Sequence, residues 1–197
     1  MTDPVHEEEH RGSTIRIYHD PDAESPRDWD NLGTMVCGHP RYTLGDMHDF
    51  GCAAEFLVDL LGLDRDRDLS VDQLLARAEK VAVILPVYLY DHSGLAMNTI
   101  GFHCPWDSGQ VGFIYVTLED IRREYGISRV SAKRRAAVVD RLRQEVDTYS
   151  DYLGGFVYGY TVERGGEEID SCWGFIGDYD GYCLEEARSN VPAGVVA

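Results

Sequence analysis

The chain has 197 residues, 44% of them hydrophobic, which is enough for a folded core. It carries 35 acidic and 18 basic residues, for a formal charge of −17, and this surface repels phosphate backbones and disfavours sequence-independent nucleic-acid binding. The sequence contains no apolar run long enough for a membrane span and no signal-peptide order at its start, so we expect a cytoplasmic protein of the host cell.

Hydrophobic periodicity and turn residues predict a mixed order of strands and helices without regular βαβ repeats. We therefore predict an α+β fold in a single domain over 14–190, with an acidic disordered tail at 1–13 and a C-terminal tail at 191–197. In chain order, we predict strands at 14–18 and 34–39, helices at 47–61 and 70–80, strands at 81–90 and 111–116, helices at 118–125 and 131–153, a hairpin of 156–163 with 169–176, and a last short helix at 182–188.

Several of these elements carry clear local signals. Ser70 and Gln73 form a capping-box pattern, Thr117 can cap the helix that Gly126 ends, and Gly165–Gly166 can turn the hairpin. Pro86 lacks an N–H group and predicts an edge position or a bulge in its strand. The helix at 131–153 has one apolar stripe, so we predict that it packs on a mostly antiparallel sheet, with the hairpin as its partner.

Four blocks of the chain are distinctive: "SPRDWDNLGTMVC" (25–37), "HSGLAMNT" (92–99), "WDSGQVGFIYVT" (106–117) and "DSCWGF" (170–175). They resemble an uncharacterised protein family of bacteriophages and related mobile elements, over about residues 14–176. The family has no settled activity. The resemblance implies a small accessory protein of an infected or plasmid-bearing cell, of a kind that often binds and redirects a host protein, including immune nucleases.

Two polar loops are candidates for catalysis. Ser93 lies beside His92, and Cys104 lies beside His103, but neither pair has a nucleophile-elbow pattern. If the loops at 92–98 and 103–108 form a hydrolase or metal-dependent site, five side chains should line one concavity: His92, Ser93, Asn98, His103 and Asp107. The alternative is structural, because Asp107, Ser108 and Gly109 are residues that close a tight turn.

A metal site is a weaker hypothesis for the same part of the sequence. Zinc takes the side chains of Cys37, His39, His92, His103 and Cys104, but their spacing matches no zinc finger. The stretch 178–181, with Glu185 and Glu186 after it, resembles part of a calcium loop but lacks the first Asp. We therefore predict neither a metal nor a cofactor, and interpret the scattered cysteines as free thiols.

A long acidic loop is the candidate for partner binding. It contains Trp29 among carboxylates, and either this indole is exposed as an anchor for a basic, apolar surface or it folds back onto the core. The candidate residues are Asp20, Asp22, Glu24, Asp28, Trp29 and Asp30. The eight bases between Arg122 and Arg143 either hold a phosphate or pair with the protein's own acids, and the charge of −17 favours pairing.

Two classes of function remain. We predict an acidic accessory protein that binds a basic host protein, with an inhibitor of a DNA-targeting defence system (anti-CRISPR or anti-restriction type, imitating DNA) as the specific version. We expect it to bind neither nucleic acid nor membrane directly. The alternative is a small enzyme that uses the two polar loops. Acidity as a general property of the host's proteins is a third explanation of the charge.

Overall fold

The computed structural model describes residues 3–64 and 69–192. Within them the predicted α+β class and the antiparallel pairing of the strands are confirmed, but the strands form two four-stranded sheets. The elements are β1 (His6–His10), β2 (Ser13–His19), β3 (Thr34–Cys37), α1 (Ala53–Leu60), α2 (Val71–Val81), β4 (Ala82–Asp91), β5 (Leu95–Asn98), β6 (Ser108–Thr117), α3 (Leu118–Tyr125), α4 (Ala132–Leu153), β7 (Val157–Arg164), β8 (Glu167–Ile176) and α5 (Leu184–Asn190).

The chain divides into two compact units. Unit 1 contains the residues up to Pro26 and those from Asp151 onward, and unit 2 contains Arg27–Ser150. The sheet of unit 1 has the order β1-β2-β7-β8, and the sheet of unit 2 has the order β3-β6-β4-β5. The acidic loop predicted as one partner-binding segment therefore crosses from one unit to the other between Pro26 and Arg27.

Unit 1 buries one face of its sheet under α5. Side chains at alternate positions of β2 and β7 form this core, together with four residues between 183 and 191: Ile15, Ile17, Tyr158, Tyr160, Val162, Cys183, Leu184, Ala187 and Val191. The predicted hairpin is confirmed, with Gly165 and Gly166 at φ +62° and +87° in its turn. Burial of Val191 corrects the prediction that the C-terminal tail begins at this residue.

The predicted disorder of residues 1–13 is also corrected, because residues 6–10 form β1. His6 to His10 pair with β2 in register from Ile17 to Ser13, through a tight turn at Arg11 and Gly12 with φ of +50° and +77°. Ladder hydrogen bonds and contacts such as Arg188–Glu8 hold this strand, although its sequence, HEEEH, has no apolar alternation that would have indicated it.

In unit 2, α4 covers the sheet that contains β6. A Cβ atom at Gly33 would lie 2.4 Å from Cδ2 of Leu142 and 2.9 Å from Cγ1 of Ile114, so the helix and the strand meet across this glycine. Leu142, Val146 and Tyr149 of the predicted stripe are buried. Val138 is buried in place of Val139, which the stripe included, and Ala136 of the stripe is exposed. The packing partner that we identify for the stripe is β6 of the same unit.

The predicted caps of α2 and α3 are confirmed, and α1 departs most from its predicted start. The Ser70–Gln73 capping box opens α2, Thr117 accepts from the Asp120 N–H at the start of α3, and Gly126 ends α3 in the left-handed region. α1 begins at Ala53, later than the predicted residue 47. The residues before it form a loop, in which the His48 ring hydrogen-bonds to the Cys37 carbonyl and to the Phe50 N–H.

The pairing of β4 with β6 positions the polar loops. The ladder runs from Ala82↔Thr117 to Tyr90↔Ser108 with an irregularity at Val87/Tyr88, next to Pro86 as predicted. β5 pairs with the last part of β4 only, from Tyr88 to Asp91. The turn after β4 and the loop before β6 therefore lie at the same end of the sheet.

Candidate functional site

The two polar loops of unit 2 meet at His92 and Asp107. The Asp91 N–H donates to the Asp107 carbonyl over 2.8 Å, and this bond ties the end of β4 to the loop before β6. Nδ1 of His92 lies 3.3 Å from Oδ2 of Asp107. The imidazole thus lies within ion-pair distance of this carboxylate, and its side chain is 62% exposed.

The nearby Cys104 thiol donates a hydrogen bond to the Asp107 carboxylate and makes none to the His92 imidazole. Sγ of Cys104 lies 3.4 Å from the same Oδ2 of Asp107, and Ser108 Oγ donates to the Cys104 carbonyl. A thiol nucleophile is activated when a base such as imidazole takes its proton, or when positive charge favours the thiolate. The Asp107 carboxylate is a weak base and carries negative charge, so it does not favour the Cys104 thiolate. The arrangement therefore suits a structural turn better than an activated nucleophile.

Within the described residues, the other three catalytic candidates make no hydrogen bond or ion pair with His92 or Asp107. Oδ1 of Asn98 accepts from the N–H groups of Ile100 and Gly101, and its Nδ2 donates to the Gly101 carbonyl, so the amide is used in its own loop. Ser93 is exposed, with φ +58°, in the turn that joins β4 to β5. His103 is exposed beside Cys104.

A cavity of about 440 Å³ lies next to these loops. Among the five catalytic candidates, all of them described, Asp107 alone lines it. Asp91, which also lines it, pairs with Arg41 and lies 3.3 Å from the Tyr42 hydroxyl. The other polar residues of its wall are His39, Arg41, Ser108 and Gln110. Trp106, 91% exposed, stands at its edge.

A second cavity, of about 460 Å³, was not anticipated from the sequence. Its floor is aromatic, because Phe56 packs against Phe50 and Phe113 at ring distances of 5.7 and 5.9 Å. His48 lines the wall with both nitrogens occupied: Nε2 donates to the Cys37 carbonyl over 2.9 Å, and Nδ1 accepts from the Phe50 N–H. Neither ring nitrogen of His48 is therefore free to act as a catalytic base.

The arginine of the acidic loop has a structural role in unit 2. The Arg27 side chain is 4% exposed and donates to Asp46, to Glu145 and, over 2.6 Å, to the Gly33 carbonyl. Burial acts to lower the pKa of Arg27, but the hydrogen bonds and charge of Asp46 outweigh it and raise this pKa. Glu145 also accepts from the N–H groups of Leu32 and Gly33, so this network fixes residues 27–33.

The remaining acidic-loop residues are largely exposed. Asp20 is half-buried in unit 1 and its Oδ1 accepts from the Asp22 N–H, as expected for a turn. Asp22 and Glu24 are exposed in the same unit. In unit 2, Asp28, Trp29 and Asp30 are exposed, and 49% of Trp29 remains accessible. The indole therefore has the exposure that an anchor requires.

The basic stretch is mostly engaged with the protein's own groups. Arg123 pairs with Asp120, Arg143 with Asp140, and Arg141 with Glu124 and Glu145. Arg135 donates to the backbone carbonyls of Glu79 and Ala82, and Arg134 lies 4.1 Å from the Tyr125 ring centroid. These contacts agree with the preference for internal pairing over phosphate binding.

Comparison with known proteins adds no relative: no family model, no curated protein and no solved structure matches the chain significantly. In residues 3–64 and 69–192, no three His, Cys, Asp or Glu side chains gather as metal ligands would. None of the helices in this part of the chain is both long and apolar enough to span a bilayer.

Proposed function

We propose that the protein is a non-enzymatic binding protein whose acidic surface holds a basic host protein. In its specific form, the partner is a nucleic-acid-binding defence protein that the mobile element must block, as in anti-CRISPR or anti-restriction inhibition. The observation that carries this proposal is the charge of −17 together with the internal engagement of the basic stretch. Since those arginines already have partners, the excess carboxylates are left to face the solvent.

Electrostatic complementarity explains how such a surface selects its partner. Exposed carboxylates at Asp22, Glu24, Asp28 and Asp30 attract a basic protein over about a Debye length, roughly 8 Å at physiological ionic strength. A single exposed ion pair contributes only about 0–1 kcal/mol, so several carboxylates must act together. The same charges repel duplex DNA.

The polar loops supply the main argument against the enzyme alternative. Asp107 binds the Cys104 thiol, while Asn98 is used within its own loop. Neither arrangement provides an activated nucleophile, which needs an adjacent base in hydrogen-bond reach. The loops therefore favour binding over catalysis.

The test is salt-dependent capture of a basic partner. The tagged protein would be exposed to the heparin-binding fraction of a host lysate, eluted with a salt gradient, and the captured partner measured by surface plasmon resonance. We expect D22N/E24Q and D28N/D30N, made separately and together, to slow association, with H92A/S93A as the matched control. Tight binding of duplex DNA by the native protein, or loss of partner binding in H92A/S93A alone, would contradict the proposal.

One observation favours the second candidate, a small hydrolytic enzyme. Nδ1 of His92 lies 3.3 Å from Oδ2 of Asp107 on a side chain that is 62% exposed, and this imidazole would serve as the general base. If this pair is catalytic, His92→Ala would abolish turnover of a substrate found by screening esters and phosphoesters. Full turnover in His92→Ala, or none by the native protein, would end this alternative.

A further inference from the structure

The solvent-facing side of the unit 1 sheet carries an aromatic platform. Tyr18 of β2 pairs in register with Gly159 of β7, and the indole of Trp173 from β8 covers that glycine. A Cβ atom at Gly159 would lie 2.1 Å from Cε3 of Trp173, so the indole needs a glycine beneath it. The Tyr18 and Trp173 rings are stacked, with centroids 6.3 Å apart and planes at 26°.

A bulge in β8 turns the indole to this side. Tyr158 pairs with Phe175 and Tyr160 with Cys172, so Trp173 and Gly174 together occupy the place opposite Gly159. In a regular strand Trp173 and Phe175 would point the same way. Here Phe175 packs against the core while Trp173 lies over Gly159, because the extra residue reverses the alternation. The indole stays 46% exposed.

The platform lies on an acidic face. Arg16, two residues before Tyr18 on the same side of β2, is held between Glu7 at 2.6 Å and Glu163 at 2.7 Å. Glu9, next to Glu7 on this side of β1, accepts from the Thr14 hydroxyl. Three carboxylates thus accompany one guanidinium, and Glu7 and Glu163 keep 54% and 36% of their side chains exposed.

We infer that this aromatic face, made of Tyr18 and Trp173 with the carboxylates Glu7, Glu9 and Glu163, receives an arginine side chain of the basic partner. The inference rests on the proposed function and names a contact for it. The face of an indole is the best aromatic partner for a cation, and a planar guanidinium can stack on it and still donate to carboxylates. A single-stranded nucleic acid also stacks on exposed aromatics, but it needs a positively charged groove, and this face is negative.

The fluorescence of Trp173 gives a direct test. The protein has three tryptophans, so W29F/W106F leaves Trp173 as the sole indole. This variant would be titrated with an oligo-arginine peptide, an oligo-lysine peptide of the same length and oligo-dT. We expect the arginine peptide to change the Trp173 emission at lower concentration than the lysine peptide, and oligo-dT to leave it unchanged.

Matched substitutions separate the platform from general charge attraction. Trp173→Leu keeps an apolar cover over Gly159 but removes the π face, and it should weaken oligo-arginine binding about two- to five-fold. Trp106→Leu is the control, because Trp106 is 91% exposed and lies in unit 2; it should leave the affinity unchanged. Circular dichroism would check folding, and the single-tryptophan titration stands even if Trp173→Leu fails to fold.

The outcomes distinguish this contact from the proposed function. Oligo-arginine binding that leaves Trp173 emission unchanged, or that is equally affected by the two leucine substitutions, overturns the aromatic contact while the acidic surface remains a binder. A response to oligo-dT overturns it in favour of nucleic-acid stacking. If neither basic peptide binds even at low salt, both the contact and the proposed function fail.

Discussion

Arg27 donates to both carboxylate oxygens of Asp46, from Nε to Oδ1 and from Nη2 to Oδ2, over 2.8 Å each. The guanidinium is almost fully buried, with 4% of its side chain exposed, and Asp46 also accepts from the Met35 N–H. A bidentate pair of this kind combines charge with fixed geometry. It ties the start of unit 2 to the loop after β3.

Removing this guanidinium should be costly. In Arg27→Met the carboxylates of Asp46 and Glu145 lose their shared cation in a poorly solvated site, and we expect a loss of about 3–5 kcal/mol in the free energy of unfolding. Urea denaturation would measure it. The matched control is Arg143→Met, because Arg143 is 49% exposed and its pair with Asp140 should contribute little. Equal effects of the two changes would show that the Arg27 network does not stabilise the fold.

The stripe of α4 gives a second stability prediction. Leu142 is fully buried beside Gly33 and Ile114, so Leu142→Ala should leave a cavity and cost about 2–5 kcal/mol. Gln144→Ala on the exposed side of the same helix should change the stability by less than about 0.5 kcal/mol. Chemical denaturation of both variants would check the packing. A loss near zero for Leu142→Ala would mean that the helix does not pack where we place it.

The sequence predicted the features that depend on residues close together in the chain, and it did not predict those that depend on distant residues. Capping at Ser70 and Thr117 and the turn at Gly165–Gly166 involve near neighbours, and the pattern identified them. Arg27 binds Glu145, which is 118 residues away, and no local pattern contains that information. The sequence did not predict the acidic strand β1, because its composition is not typical of a strand and its structure depends on pairing with β2.

The candidate site shows the same limit. The sequence grouped His92 and Asp107 with Ser93, Asn98 and His103 in one concavity, and the β4–β6 ladder brings His92 and Asp107 to 3.3 Å from each other. Whether the site can be catalytic depends on the hydrogen-bond partner of each side chain, and the Cys104 thiol donates to Asp107. The platform on unit 1 escaped prediction because a bulge reverses the side on which Trp173 lies, and alternation in the sequence would have placed it with Phe175.

The Glu8–Arg188 pair predicts a measurable pH dependence. Hydrogen bonds from Arg188 to both carboxylate oxygens lower the pKa of Glu8 from 4.5 to about 2. Since the folded pKa is below the unfolded one, the stabilisation is complete above about pH 4.5 and is lost as the pH falls toward 2. Carboxyl titration by NMR should give this low value. In Arg188→Gln the Glu8 pKa should rise toward 4.5, and an unchanged titration would exclude the pair in solution.

Thiol reactivity should separate the five cysteines. Burial, with the charge of Asp46, raises the pKa of Cys37 to about 12, and burial raises that of Cys183 to about 11. Cys52 and Cys172 are exposed. Because the thiolate is the reactive form, iodoacetamide at pH 8 should label Cys52 and Cys172 first and leave Cys37 and Cys183 unmodified, as read by mass spectrometry. All five should react in denaturant, and early labelling of Cys37 would contradict its buried position.

Thr161 on β7 offers a stabilising substitution. Its hydroxyl oxygen is buried and has no hydrogen-bond partner within the described residues, and leaving such a group unsatisfied costs about 1–3 kcal/mol. Thr161→Val keeps the branched shape and removes the hydroxyl, so we expect the free energy of unfolding to rise by about 1 kcal/mol. The matched control is Thr14→Val, because the Thr14 hydroxyl donates to Glu9 over 2.5 Å and its removal should bring no gain. Thermal denaturation of both variants decides the matter: a Thr161→Val protein less stable than the native one would mean that the hydroxyl has a partner in solution.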